Sequence, residues 1–186
     1  MASPRHRRRP PEPFSKGLVE VFTGDGKGKT SAALGITLRA LGHGLKVAII
    51  YFMKGEFPYG EQRILSQLPN VTLSRFGFTE FCDPKNVKEE EREQARQALQ
   101  AARQAMLGGE YDVVVLDEVN VATAWKLIDV EGVIALIHNR PEKVELILTG
   151  RGADPRVIEL ADLVTEMVKV KHPYDKGILS RMGIDY

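Results

Sequence analysis

Leu18-Val19-Glu20-Val21-Phe22-Thr23-Gly24-Asp25-Gly26-Lys27-Gly28-Lys29-Thr30 decides the fold. An apolar run enters a glycine-rich turn, which ends in Gly-Lys-Thr and opens onto an Ala/Leu-rich segment. That order reads as strand, phosphate-binding loop, helix. The glycines let backbone N–H groups converge on phosphate oxygens, Lys29 adds a point charge, and the Thr30 hydroxyl is suited to ligating Mg²⁺. The expected ligand is a nucleoside triphosphate held by Gly24, Asp25, Gly26, Lys27, Gly28, Lys29 and Thr30. The loop is one residue tighter than the common G-x-x-x-x-G-K-[ST] spacing, and Thr23 stands where the first glycine usually falls. Kinases and hydrolases need the γ-phosphate in a set position, so a shortened loop points to phosphates held differently.

Further along the chain, strands and helices alternate. Lys29–Leu41 has apolar residues near helical spacing and is expected to close at Gly42. Lys46–Phe52 is a nearly continuous apolar strand, the kind buried on both faces. Met53–Tyr59 reads as a loop, Gly60–Gln67 as a short helix and Val71–Phe76 as a strand. Gly77–Lys85 is a loop set among Phe76, Phe78 and Phe81. Lys88–Leu107 is a long charged helix whose Glu89–Glu93 run reads as a solvated face, with acidic residues suiting its first turns. Asp112–Leu116 is a strand ending at Asp117-Glu118. Helical segments follow near Val121–Ile128 and Val130–Asn139, then a strand at Val144–Thr149. Asp154-Pro155 starts a helix, with Asp at the cap and Pro in the first turn. Leu163–Val170 reads as the last strand. The pattern implies an α/β fold of three layers, the P-loop (RecA-like) arrangement, with a mainly parallel central sheet flanked by helices.

In such a sheet ligands bind beyond the carboxyl ends of the strands. The chemically suggestive residues fall at those ends: Gly24–Thr30, then Lys54, Glu56 and Glu61, then Phe78–Phe81, then Asp117, Glu118 and Asn120, then Arg151. Val113-Val114-Val115-Leu116-Asp117-Glu118 delivers carboxylates beside the cation that Thr30 would hold. In an ATPase the Asp holds the metal and the Glu activates water. Arg151 offers a guanidinium to the phosphates, or else is a surface residue in a turn. Lys54 reads equally as a nucleotide contact or a solvated loop lysine. His172 reads as structural or exposed, since no nucleophile or metal-ligand spacing accompanies it. The aromatic loop either caps the core or, facing the pocket, suits a large, flat, partly apolar co-substrate.

Bulk properties narrow the choice. A chain of 186 residues is enough to bury a full core and suits one domain at 17–186. A net charge of +1 argues against a polyanionic partner such as nucleic acid, and no apolar run is long enough to span a bilayer. The lone Cys82 excludes an internal disulfide and fits a reducing, cytoplasmic compartment; nothing near it marks an activated thiolate. Residues 1–16 differ: Arg5, His6, Arg7, Arg8 and Arg9 precede Pro10, Pro11 and Pro13, with no apolar segment of a secretory signal. They read as a disordered basic tail or as an arm covering the site.

At this point the ordered motifs are familiar. Thr23–Thr30, Phe52-Met53-Lys54-Gly55, Leu116-Asp117-Glu118, Ile147–Arg151, Ala161–Met167, Val170-Lys171-His172-Pro173 and Gly183-Ile184-Asp185-Tyr186 run in the order seen in one family. Over about Gly17 to Tyr186 the chain resembles the P-loop type ATP:corrinoid adenosyltransferases, also called cob(I)alamin adenosyltransferases. The short loop is that family's own form. The resemblance implies transfer of the 5′-deoxyadenosyl group of ATP to the Co(I) of a corrinoid, with release of triphosphate. It implies Mg²⁺ (or Mn²⁺) at Thr30 and Glu118, with Asp117 supporting them from behind. Lys29, Thr30 and Glu118 are then the catalytic residues. Arg39, Lys54 and Arg151 join the nucleotide set, and Glu61, Phe78 and Phe81 the corrinoid set. The family uses aromatics in this loop to exclude an axial cobalt ligand; Phe78 matches one, whereas Glu80 stands where the second is expected, beside Phe81. A homodimer and an external electron donor such as a flavoprotein are implied as well. The competing readings are a P-loop ATPase or small-molecule kinase, and a carrier or sensor that binds without turnover.

Overall fold

The computed structural model describes residues 15–80 and 82–186. The expectations for the 1–14 part of the tail and for Phe81 therefore lie outside the described residues. Six strands form one sheet: β1 Val19–Thr23, β2 Val47–Tyr51, β3 Val71–Arg75, β4 Val113–Asp117, β5 Glu145–Thr149 and β6 Leu163–Glu166. Every pairing is parallel, in the order β3-β2-β4-β5-β1-β6. The helices are α1 Lys29–Gly42, α2 Gly60–Leu65, α3 Glu89–Leu107, α4 Val119–Ala124, α5 Val130–His138 and α6 Pro155–Leu160.

Apolar strands alternate between two cores, which is why they read as continuous runs. Val47, Ile49, Tyr51, Val113, Val115 and Ile147 pack with Ala33 and Ala40 of α1 and Leu65 of α2. Ala48, Ile50, Phe52, Val114, Leu116, Leu146 and Leu148 pack with Ala95, Ala98 and Ala102 of α3, Leu136 of α5 and Val157 of α6. The result is the expected three-layer α/β arrangement.

Most boundaries shift by a residue or two from the sequence reading, and the larger differences have local reasons. α1 runs through Gly42 and turns instead at Gly44, whose φ is +79°. α4 begins directly after Glu118, whose left-handed φ of +64° turns the chain at once from strand to helix. β6 stops at Glu166 because Met167 leaves the strand to bond the loop after β1. A 3-10 turn at Pro173–Lys176 had no sequence expectation; His172 caps it, its Nδ1 accepting from the Tyr174 N–H at 3.2 Å. The Asp154 cap of α6 stands as expected, accepting from the Arg156 N–H at 2.9 Å.

The strand order positions the site. β5 separates β1 from β4, so three strand ends, Thr23, Thr149 and Asp117, lie side by side. β2 lies on the far side of β4, with Tyr51 level with Asp117.

Candidate functional site

The loop after β1 is held from within and from one side. Lys29, 8% exposed, donates from Nζ to the carbonyls of Gly24 at 2.8 Å and Gly26 at 2.7 Å. Met167 donates its N–H to the Thr23 carbonyl and accepts the Gly26 N–H. A Cβ at Gly24 or Gly26 would stand 2.6 Å from the Met167 carbonyl oxygen, and Gly24 has φ +91°. Glycine is thus required here by the close approach of β6's continuation. The Gly26 amide is committed to Met167, which leaves the Asp25, Lys27 and Gly28 amides and those of the first turn of α1 for an anion.

Asp117 is the hub, 1% exposed at the end of β4. Its Oδ1 accepts from the Thr30 hydroxyl at 2.9 Å and the Thr149 hydroxyl at 2.7 Å. Its Oδ2 accepts from Lys54 Nζ at 2.5 Å, and Lys54 also reaches Thr30 Oγ1 at 3.3 Å. Thr149 accepts the Glu118 N–H at 2.9 Å. Four strand ends therefore converge on one carboxylate. Thr149 was missed by sequence reasoning: a threonine ending an apolar strand carries no spacing signal.

The residues after β2 and β3 interlock. A Cβ at Gly55 would lie 2.4 Å from the Gly77 carbonyl oxygen, and one at Gly77, with φ +112°, would lie 2.7 Å from Met53 Cα. The Lys54 loop and the Phe78 loop are thus pressed backbone to backbone. Gly77 N–H donates to Gln94 of α3 at 3.2 Å. Phe78 is 45% exposed, while Phe76 packs against the core. Beside Phe78 a cleft of about 20 Å³ is bounded by Met53, Glu80, Cys82 and Gln94. Burial and a hydrogen bond to Glu91 push the Cys82 thiol up to about 11, so it is no nucleophile.

The other expected residues divide. Glu61 begins α2 half-buried, near enough for its charge to bear on Tyr51 and Tyr59. Arg151, exposed, acts electrostatically on Lys29 and Glu118. Asp25 and Lys27 sit exposed on the loop, and Gly28 leads into α1 with φ +119°. Arg39 is not brought to the site: it lies exposed in the last turn of α1, about 15 Å along the axis from Lys29 at the usual helical rise.

Charge at the site is balanced within it. Burial holds the Lys29 ammonium below the ordinary lysine value, although Glu118 opposes this. Burial works the same way on Lys54, but the carboxylates of Asp117 and Glu118 outweigh it and raise its pKa. Burial, then the neighbouring Asp117, raises the Glu118 carboxyl. The donors facing the loop are a hydroxyl and two carboxylates, Thr30, Asp117 and Glu118. Such all-oxygen donors fit a hard divalent cation that shares its remaining positions with phosphates and water.

The family described as ATP:corrinoid adenosyltransferase BtuR/CobO/CobP matches residues 15–186. The chain is 37% identical to the corrinoid adenosyltransferase of Escherichia coli (strain K12) over 171 residues, covering 92% of this chain and 86% of the relative. It is equally identical, with the same coverage, to corrinoid adenosyltransferase CobA of Salmonella typhimurium. The corrinoid adenosyltransferase of Pseudomonas aeruginosa is 36% identical, with coverages of 92% and 84%. With the phosphate loop, the Asp117 hub and an aromatic loop meeting at one sheet edge, this chain belongs to the ATP:corrinoid adenosyltransferase family.

Proposed function

We propose that this protein transfers the 5′-deoxyadenosyl group of ATP to the Co(I) of a reduced corrinoid. The observation that carries this reading is the shared loop Met53–Gly55. On one side Lys54 holds Thr30 and Asp117; on the other, Gly55 and Met53 abut Gly77, the residue before exposed Phe78. A triphosphate site and an apolar aromatic face are therefore neighbours, as a two-substrate transfer requires.

The cobalt is the nucleophile. Its electron pair forms the Co–C5′ bond while the C5′–O bond breaks, and triphosphate departs whole with that bond's electrons. No general base is needed, so the protein's work is positioning and leaving-group stabilisation. Lys29 commits two of its three ammonium protons to Gly24 and Gly26, which leaves the third for a phosphate oxygen. First-turn amides of α1 add donors. Arg151 and Lys54 supply further positive charge. Thr30 and Glu118 would hold Mg²⁺ (or Mn²⁺), with Asp117 orienting Thr30; bound there, the ion would neutralise charge on the departing triphosphate. Exposed Phe78, with Phe81, would cover the lower corrin face, and Glu61 would meet its edge. Shielding cobalt from an axial donor eases reduction of Co(II), for which an external donor such as a flavoprotein is required.

A homodimer suits the open edge at β6, where Leu163 and Val164 stay 39% and 41% exposed and Val168 and Val170 more so. Sedimentation as a monomer at micromolar concentration would contradict it. Among the described residues no helix is long and apolar enough to cross a membrane; we place the enzyme in the cytoplasm, as one domain over 17–186 with residues 1–16 available to cover the site.

A β,γ-imido analogue of ATP tests the chemistry. Adenosyl transfer breaks no phosphorus–oxygen bond, so the analogue with cob(I)alamin still yields adenosylcobalamin. A kinase or ATPase would be blocked, and no product with the analogue, alongside ADP from ATP, would sink the transferase reading.

A further inference from the structure

The loops carrying Lys29 and Lys54 must keep a fixed separation, yet their strands are not neighbours. β4 and β5 stand between β1 and β2, a gap of about 14 Å at ordinary strand spacing. A third segment, Arg181–Tyr186, touches both loops. The Asp185 carboxylate pairs with the Lys27 ammonium on the loop after β1, and Lys27 Nζ also donates to the Ile184 carbonyl at 3.3 Å. The next residue, Tyr186, sets its ring edge-on to Phe57 in the loop after β2, with centroids 5.1 Å apart at 68°. Phe57 in turn leans on Tyr59 at 4.8 Å, and Lys54 Nζ lies 5.2 Å from the Tyr59 centroid.

The segment is stiff without being buried. Asp185 accepts from the Arg181 backbone N–H at 2.8 Å and from its Nε at 3.1 Å, and the Asp185 N–H returns to the Arg181 carbonyl at 2.8 Å. Gly183, with φ +81°, donates to the Tyr186 carbonyl at 2.8 Å. Its apolar members contribute nothing to a core: Met182 is 83% exposed and Ile184 66%. What fixes the segment is the pair Asp185 and Tyr186, each gripping a different side of the site. Asp185 also separates two cations, Lys27 and Arg181, that would otherwise repel.

We infer that Asp185 and Tyr186 are positioning residues for the nucleotide: they set the span between the phosphate loop and the Phe57–Tyr59 side of the site, and so how firmly ATP is held. This rests on the ATP-binding reading above. The two residues touch loops, not reacting atoms, so they govern how well the ground-state nucleotide is held and leave the chemical step alone.

The test compares the parent protein with Asp185→Asn, Lys27→Met, Tyr186→Ala, Tyr186→Phe and the double variant Lys27→Met/Asp185→Asn. The readouts are Mg-ATP affinity by calorimetry without corrinoid, and KM and kcat with cob(I)alamin. Asp185→Asn and Tyr186→Ala are expected to raise the ATP Kd and KM about tenfold with kcat within about twofold, the signature of lost uniform binding. Tyr186→Phe retains parent behaviour, because the ring and not the hydroxyl makes the contact. The double variant is no weaker than the worse of its two single changes, as expected for partners in one pair. ATP affinity at the parent value in both Asp185→Asn and Tyr186→Ala overturns the inference. So does a parallel loss of kcat, corrinoid KM and thermal stability, which marks a merely structural role. Failure of the parent to make an adenosylcorrinoid refutes the proposed reaction instead, and the calorimetric comparison still decides the roles of Asp185 and Tyr186.

Discussion

Lys29 is committed to its own loop through Gly24 and Gly26, so its removal subtracts a phosphate contact and an internal brace together. Lys29→Ala is expected to lower kcat/KM by about 100- to 1000-fold, the usual cost of one preorganised charge-stabilising donor. Steady-state kinetics in both substrates checks it, with ATP KM rising and corrinoid KM unchanged. Glu118 makes the opposite trade. Its φ of +64° is costly for a residue with a Cβ, and burial with Asp117 beside it penalises its charge. Glu118→Gly is expected to raise the melting temperature by about 2–4 °C, as relief of about 1 kcal/mol does in a chain this size, while abolishing turnover. A lowered melting temperature would show that the strain is absent. Sequence spacing singled out Lys29, Thr30 and Asp117, which lie in the glycine-rich loop after one apolar run and at the end of another, whereas Lys54 stayed equally open to a nucleotide contact and a solvated loop. Thr149 was hidden because its role depends on β5 lying between β1 and β4, which is tertiary information. Arg39 lies ten residues into α1, in its last turn and away from the helix end that follows the phosphate loop.

At the scale of elements, two loops share one backbone contact. Gly55 against Gly77 leaves no room for a side chain on either. Gly77→Ala is expected to push the Phe78 loop away from Met53 and raise the corrinoid KM about tenfold, an effect of misplacement at a distance from the chemistry. ATP affinity measured alone should stay near the parent value; equal loss for both substrates would show that the loops move as one. The elements themselves were largely readable: apolar runs gave β2, β4 and β5, and Asp154-Pro155 gave the start of α6. Ends were less so. β6 was read as reaching Val170 because Met167 and Val168 are apolar, but the Met167 backbone serves the phosphate loop and the Val168 carbonyl accepts from Val170 instead. The segment Arg181–Tyr186 was visible as a motif but not as a bridge, since its partners lie more than a hundred residues away.

Across the whole molecule, the sheet separates function from a stability liability. Its carboxyl edge carries the site; at the opposite edge Glu145, 7% exposed, accepts the Leu18 N–H at 2.6 Å. Burial, with Glu20 adding to it, pushes the Glu145 carboxyl up to about 7 from an ordinary 4.5. Between those values the native protein binds more protons than the unfolded chain, so this group's contribution falls as pH rises. Glu145→Gln should match the parent at pH 5 and exceed it at pH 8 by on the order of 2 kcal/mol in denaturant unfolding. A gap that does not widen with pH would contradict this. The central claim concerns the other edge, and one anaerobic reaction tests it most directly. Protein, Mg-ATP and chemically reduced cob(I)alamin are mixed, the corrinoid spectrum is followed, and the phosphate product is identified. The account predicts a light-sensitive adenosylcorrinoid formed with an equal amount of intact triphosphate. ADP and phosphate with an unchanged corrinoid would contradict it.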